Sequence, residues 1–104
     1  MRYAKRRDDN HRSIVSALKA AGFEVLDFAS AGHDIPDLLV TRQSTERAWI
    51  CWVEIKSARG RLTAGQRRFK KLMAPRGEWL EARNPEAAVK DLQAMYLKAH
   101  GAAA

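Results

Sequence analysis

The sequence predicts an α/β sandwich, with elements in the order α-β-β-β-α-β-α and a mixed sheet flanked by helices. Three features carry that expectation. Segments with apolar residues at helical spacing alternate with short runs rich in branched and aromatic residues, the pattern of a sheet covered by helices. Glycine, proline and capping residues fall at the junctions between them. One run, AWICWVEIK, is apolar on both faces and therefore reads as a central strand.

Taken in order, residues 1–9 carry Arg2, Lys5, Arg6 and Arg7 ahead of two aspartates and read as a flexible basic arm, either frayed or contacting phosphates. From about Asn10 to Ala21 the apolar positions Ile14, Val15, Leu18 and Ala21 repeat at helical spacing, and Gly22 supplies the stop. FEVLDF, residues 23–28, follows as the first strand. ASAGHDIP is a loop in which Pro36 forces Ile35 away from helical angles. The second strand runs from about Asp37 to near Arg42, QSTER makes the turn, and AWICWVEIK is the third strand. With the tight turn at Ser44 to Arg47, Gln43 pairs with Ala48 and the ladder brings Asp37 opposite Glu54. A slip of one residue would put those two carboxylates on opposite faces.

SARGRL leaves the strand through Gly60, and Thr63 with Gln66 forms a T-x-x-Q capping box that opens the second helix. Leu62, Gln66, Phe69 and Met73 lie along one face with Leu72 beside them, while Arg67, Arg68, Lys70 and Lys71 make a basic outer face. Pro75 and Gly77 end that helix, and GEWLEA is a short fourth strand. Asn84, Pro85 and Glu86 provide a cap, a first-turn proline and an acidic residue at the positive end of the next helix dipole. Ala88, Val89, Leu92, Met95 and Tyr96 form the buried stripe of this third helix, and residues 101–104 read as a frayed tail.

A chain of 104 residues is a single domain spanning 1–104, with one core that buries only about two thirds of the unfolded surface. Homo-oligomerisation would relieve that shortfall. Its hydrophobic share of 46% and charged share of 30% exclude the disordered and collagen-like classes. Nineteen Lys and Arg against twelve Asp and Glu leave a formal charge of +7, which attracts polyanions, nucleic acid above all. No run approaches the roughly 20 apolar residues of a membrane span, and no helix shows the strongly apolar open face that a membrane surface would need. MRYAKRRDDNHRS has no apolar stretch behind it, so no secretory signal is expected and a cytoplasmic setting is the default. Cys51, the single cysteine, cannot form an internal disulfide and reads as a small buried hydrophobe within WICWV. His11, His33 and His100 show no H-x-x-x-H spacing, which argues against zinc hydrolase chemistry.

The informative stretch runs from Gly32 to Gln66. Asp37 stands at the mouth of an apolar run, and Glu54 and Lys56 flank Ile55 so that both point to one face of a strand. Burying such charge is costly unless it is compensated, and a divalent metal would compensate it. Phosphodiester hydrolysis needs a nucleophile, neutralisation of charge on the phosphorus oxygens and help for the leaving group. Mg2+ or Mn2+ held by two carboxylates supplies much of this, and a lysine beside the metal orients the attacking water; Asp37, Glu54 and Lys56 are the minimum set. Each also has a plainer reading. Asp37 suits a turn after Pro36, Glu54 and Lys56 a same-face salt bridge, Gln66 a simple helix cap, and His33 and Asp34 an ordinary loop. Arg59, Arg61, Arg67, Arg68, Lys70 and Lys71 flank Glu54 and Lys56; they suit a surface that tracks DNA phosphates, or else a solvated face.

P-D, then E-I-K at the end of a central strand, then a helix carrying Gln66, resembles the PD-(D/E)XK nuclease superfamily. More narrowly, GHDIPDLLV with WVEIKSARGRLTAGQRRF resembles the virus-type replication-repair nuclease (VRR-NUC) domain, over residues from Arg6 to about Leu92. The resemblance implies a small restriction-endonuclease-like fold in which Asp37 and Glu54 bind the metal, the Ile55 carbonyl is a third protein ligand, Lys56 is the catalytic lysine and Gln66 fixes a water or phosphate. It also implies a DNA repair or phage setting, and a homodimer that cuts branched DNA in the manner of Holliday junction resolvases. One segment departs from the family. Where a first-helix motif like DxNExEIV supplies an acid to a metal-bound water, this chain reads DDNHRSIV, so either Asp9, Asn10 or His11 substitutes or the contact is missing.

Overall fold

A computed structural model describes residues 2–31, 34–42, 49–74 and 78–100, with the side chains of residues 2–9 outside that description. The elements follow the expected order: α1 (Arg2–Ala20), β1 (Glu24–Asp27), β2 (Leu38–Arg42), β3 (Trp49–Ile55), α2 (Ala64–Met73), β4 (Glu78–Ala82) and α3 (Pro85–Ala99). The turn QSTER, the helix-ending Pro75 and Gly77, His33 and the tail from Gly101 lie outside the described residues.

Helix α1 begins at Arg2, well before Asn10, and so takes in the stretch read as a basic arm. Arginine, lysine and alanine favour a helix but leave no apolar stripe, so periodicity marks only its second half. There Ile14 and Leu18, one turn apart, are fully buried. The helix ends at Gly22, whose φ of 96° only glycine adopts freely. The Phe23 amide donates to the Leu18 carbonyl at 3.0 Å and the Gly22 amide to Lys19 at 3.0 Å, a Schellman closure that turns the chain directly into β1.

The four strands lie in the order β1-β2-β3-β4. β1–β2 and β2–β3 are antiparallel, and β4 joins β3 in parallel, with α2 as the crossover. This is the expected mixed sheet with β3 inside it. The β2–β3 ladder runs from Arg42↔Trp49 to Leu38↔Val53, and one further step on that register sets Asp37 across from Glu54.

The two faces of the sheet differ. Trp49, Cys51, Val53 and Ile55 alternate along β3 onto the face covered by α1 and α3, where they join Leu38, Val40, Ala82, Ala88 and Leu92 in one core. Asn84 caps α3 by accepting from the Ala87 amide at 2.8 Å, with Pro85 and Glu86 in the first turn as expected. Cys51 is fully buried there; burial, aided by the negative charge of Glu78, pushes its thiol pKa up and keeps it protonated. The opposite face meets α2, which has no buried residue of its own. Phe69 bridges Trp52, 5.3 Å away edge-on, and Trp79 at 6.3 Å. No helix among the described residues is long and apolar enough to cross a membrane.

This division predicts where truncation hurts. Leu18→Ala, at a fully buried position, should cost about 2–5 kcal/mol in urea unfolding. Leu97→Ala on the 52% exposed outer face of α3 should stay within about 0.5 kcal/mol.

Candidate functional site

Parallel pairing sets the C-terminal ends of β3 and β4 side by side, just where the chain leaves β3 for α2. Glu54 ends the alternation on the α2 face, so a carboxylate stands where the apolar pattern would place another Trp52. It is only 3% exposed, as is Asp37. Oδ2 of Asp37 accepts from the Ile55 amide at 2.9 Å, and its carbonyl accepts from the Phe28 amide at 2.7 Å. Asp37 is therefore tied to both neighbouring strands.

Helix α2 supplies the partner for Glu54. The Gln66 Nε2 donates to Glu54 Oε2 at 2.9 Å, while Gln66 Oε1 accepts from Lys56 Nζ at 2.8 Å and from the Thr63 amide at 2.9 Å. Thr63 Oγ1 accepts from the Gln66 amide at 3.2 Å, completing the capping box. Helix capping and site geometry are thus one arrangement, because a single amide oxygen serves both. Lys56 Nζ also lies 3.7 Å from Glu54 Oε2, as the same-face spacing predicted.

These groups line a cavity of about 770 Å³, together with Thr63, Asn10 of α1 and Arg83 just past β4. Asp37 is not part of its lining. Of the first-helix residues weighed as substitutes, Asn10 turns to the cavity and donates to the Lys56 carbonyl at 3.4 Å. His11 turns away, with Nε2 2.6 Å from Asp27 Oδ2. Partial burial raises the pKa of Asp27, but the Ala29 amide and the His11 contact outweigh this and leave it lowered. The side chain of Asp9 is outside the described residues.

Arg83 was not anticipated. A lone arginine between a strand and a helix carries no motif, and only the parallel register, Ile55 beside Ala82, reveals that it enters the site. The basic residues expected on the α2 side are exposed, and several are engaged locally. Arg67 donates to the Leu62 carbonyl at 2.9 Å, Arg68 lies 4.0 Å from Asp34, and Lys70 pairs with Glu81 at 3.1 Å. Arg59, Arg61 and Lys71 are exposed but, like the other three, do not line the cavity.

Asp34 sits against the first turn of α2 so closely that a Cβ added to Gly65 would overlap its carboxylate. That carboxylate is half exposed and is the end of a side chain free to swing aside, so the approach does not by itself require glycine here.

Hard oxygen donors suit a magnesium-like cation. The carboxylates at this strand end are those of Asp37 and Glu54, both buried, and of the two only Glu54 lines the cavity. In an extended strand the carbonyl of a residue points to the same side as its N–H, so the Ile55 carbonyl is directed to the side on which its amide meets Asp37. Among the described residues no group of three His, Cys, Asp or Glu side chains that could hold a metal ion comes together, so any ion here would rest on carboxylates and main-chain oxygen alone. Comparison of the chain with family models, with curated proteins and with solved structures found no match.

Two outcomes follow. Gly65→Ala should move the half-exposed Asp34 carboxylate off the first turn of α2 and change stability in thermal unfolding by no more than about 1 kcal/mol, since alanine favours the helix. Burial raises the pKa of Glu81, but hydrogen bonds from Lys70 and Trp79 and the charges of Lys70 and Arg83 leave it below its ordinary 4.5. Its contribution is therefore complete above that value and fades as pH falls through the lower folded value. Glu81→Gln should cost stability near about pH 7, and that cost should shrink as the pH falls below Glu81's ordinary value.

Proposed function

We propose that the protein is a divalent-metal-dependent endonuclease that hydrolyses phosphodiester bonds in branched or structured DNA. In this reading it is a PD-(D/E)XK nuclease that resembles the VRR-NUC domain and Holliday junction resolvases. The observation that carries the reading is the hydrogen-bonded chain Glu54–Gln66–Lys56 on the wall of an open cavity, with a second buried carboxylate, Asp37, at the same strand end.

Asp37, Glu54 and the Ile55 carbonyl would hold Mg2+ or Mn2+. When bound there, the ion would neutralise charge on a phosphate oxygen and acidify a water. The remaining work falls to the side chains. Lys56, steadied by Gln66, orients the attacking water or donates to a phosphate oxygen; Gln66 keeps the ammonium and the carboxylate in fixed relation. Arg59 and Arg61 on the crossover and Arg67, Arg68, Lys70 and Lys71 on α2 are all exposed and would follow the DNA backbone, in keeping with the charge of +7. A homodimer would present paired sites to a symmetric junction. Leu26 and Ile50, both exposed on the sheet, offer apolar surface for that association. A cytoplasmic, DNA repair setting fits this chemistry.

A second reading, a non-catalytic nucleic-acid-binding module, is favoured by one feature: among the described residues, α1 turns the amide of Asn10 to the cavity and no acid.

The test is cleavage of a four-way DNA junction with Mg2+. Activity should fall by about a hundredfold or more in Glu54→Ala and Lys56→Ala. Calcium should bind the parent protein and leave the junction intact. A parent that binds the junction and never cuts it, whatever the divalent ion, would select the second reading. Reversal of Arg67 and Arg68 to Glu should weaken binding and flatten its salt dependence, measured by fluorescence anisotropy.

A further inference from the structure

The groups that give the cavity its charge are not all used by the proposed chemistry. Lys56 is turned to Gln66 and Glu54, whereas Arg83, just past β4, lines the same cavity from the neighbouring strand end. We propose that Arg83 is a phosphate-binding residue of this cavity, holding a phosphodiester group of the bound nucleic acid. The nature of that ligand rests on the nucleic-acid reading above.

A guanidinium carries five N–H donors in one rigid plane. Here Nη1 donates to the carbonyls of Ser57 at 2.6 Å and Gly60 at 2.8 Å, which pins the plane against the turn between β3 and α2. Nη2 stands 3.6 Å from Glu81 Oε1, beyond hydrogen-bonding distance. The Nε edge has no acceptor among the described residues. A cation so held has lost much of its side-chain freedom before any ligand arrives, which lowers the entropy cost of binding.

Charge points the same way. Glu81 lies closer to Lys70, at 3.1 Å, so one carboxylate is shared between two cations and a positive surplus remains. That surplus sits at the rim of the cavity that Lys56 lines, with the Arg83 side chain 36% exposed. A planar fork with free donors and uncompensated charge matches two oxygens of a phosphate better than it matches a neutral ligand. Had the role been only to clasp the Ser57–Gly60 turn, a neutral donor would serve.

The experiment measures binding of the full chain to a DNA junction over a salt series in calcium, for the parent, Arg83→Gln and Arg83→Lys, beside thermal unfolding of each. Arg83→Gln should bind about tenfold more weakly and lower the slope of log affinity against log salt by about 0.9, the loss of one phosphate contact. Arg83→Lys should keep the slope, because the charge remains. In the parent, the 15N-detected Nε–H signal of Arg83 should move on addition of inorganic phosphate and not on addition of chloride at equal ionic strength. An unchanged slope in a folded Arg83→Gln overturns the proposal; if that variant does not fold, an Nε signal indifferent to phosphate overturns it. A lowered slope in Arg83→Gln beside a parent that binds DNA and never cuts it keeps Arg83 in its role and removes the nuclease reading. A parent that binds no DNA removes both.

Discussion

The side-chain amide of Gln66 is the interaction on which the candidate site depends. Its nitrogen meets Glu54 and its oxygen meets Lys56 and the Thr63 amide, so it reads the difference between an acid and a base and gives each the complementary atom. Because the same oxygen closes the capping box, the rotation of α2 about its axis is coupled to the positions of Glu54 on β3 and Lys56 just beyond it. Local helix formation and site geometry cannot be altered independently.

That coupling matters because α2 has little else to hold it. It has no buried residue, and its apolar contact with the sheet is made mainly through Phe69 between Trp52 and Trp79. Lys70 with Glu81, and Gln66 with Glu54 and Lys56, add polar attachments. On the opposite face the helices are seated by Ile14, Leu18, Ala88 and Leu92, which are dry and need no such pairing. The sheet therefore has a stability face and a polar face, and the burial of Asp37 and Glu54 on a small domain is tolerable because a deep core backs them.

Much of this was legible in the sequence, for physical reasons that can be named. The β2–β3 register followed from turn length together with the two-residue period of strands, and the ladder Leu38↔Val53 agrees with it. The capping box, the Asn84 cap and the Gly22 stop are local chemistry, written within a few residues. The order of elements followed from the same signals. What escaped is non-local or carries no apolar signal. The start of α1 lies in a stretch without an apolar stripe. Arg83 reaches the cavity only because β4 runs parallel to β3, and Asp34 meets Gly65 across more than half of the candidate stretch. In the first helix the competing residues separated by a single helical step: Asn10 faces the cavity, and His11, rotated by about 100°, faces β1.

The two plain readings of Gln66, cap or site residue, turn out not to compete, and the reason bears on how such a motif is interpreted. A capping glutamine needs only to return to the backbone at the helix start, which leaves its amide nitrogen unassigned. Whether that nitrogen meets water or a carboxylate depends on what the preceding strand presents. Here the strand ends with Glu54 and Lys56 on the α2 face, separated by one residue, so an amide bound to the cap finds an acceptor and a donor on either side of it. The motif in the helix and the charged pair in the strand acquire meaning from each other, and the crossover of residues 56–63, pinned by Arg83 at Ser57 and Gly60, sets the distance between them.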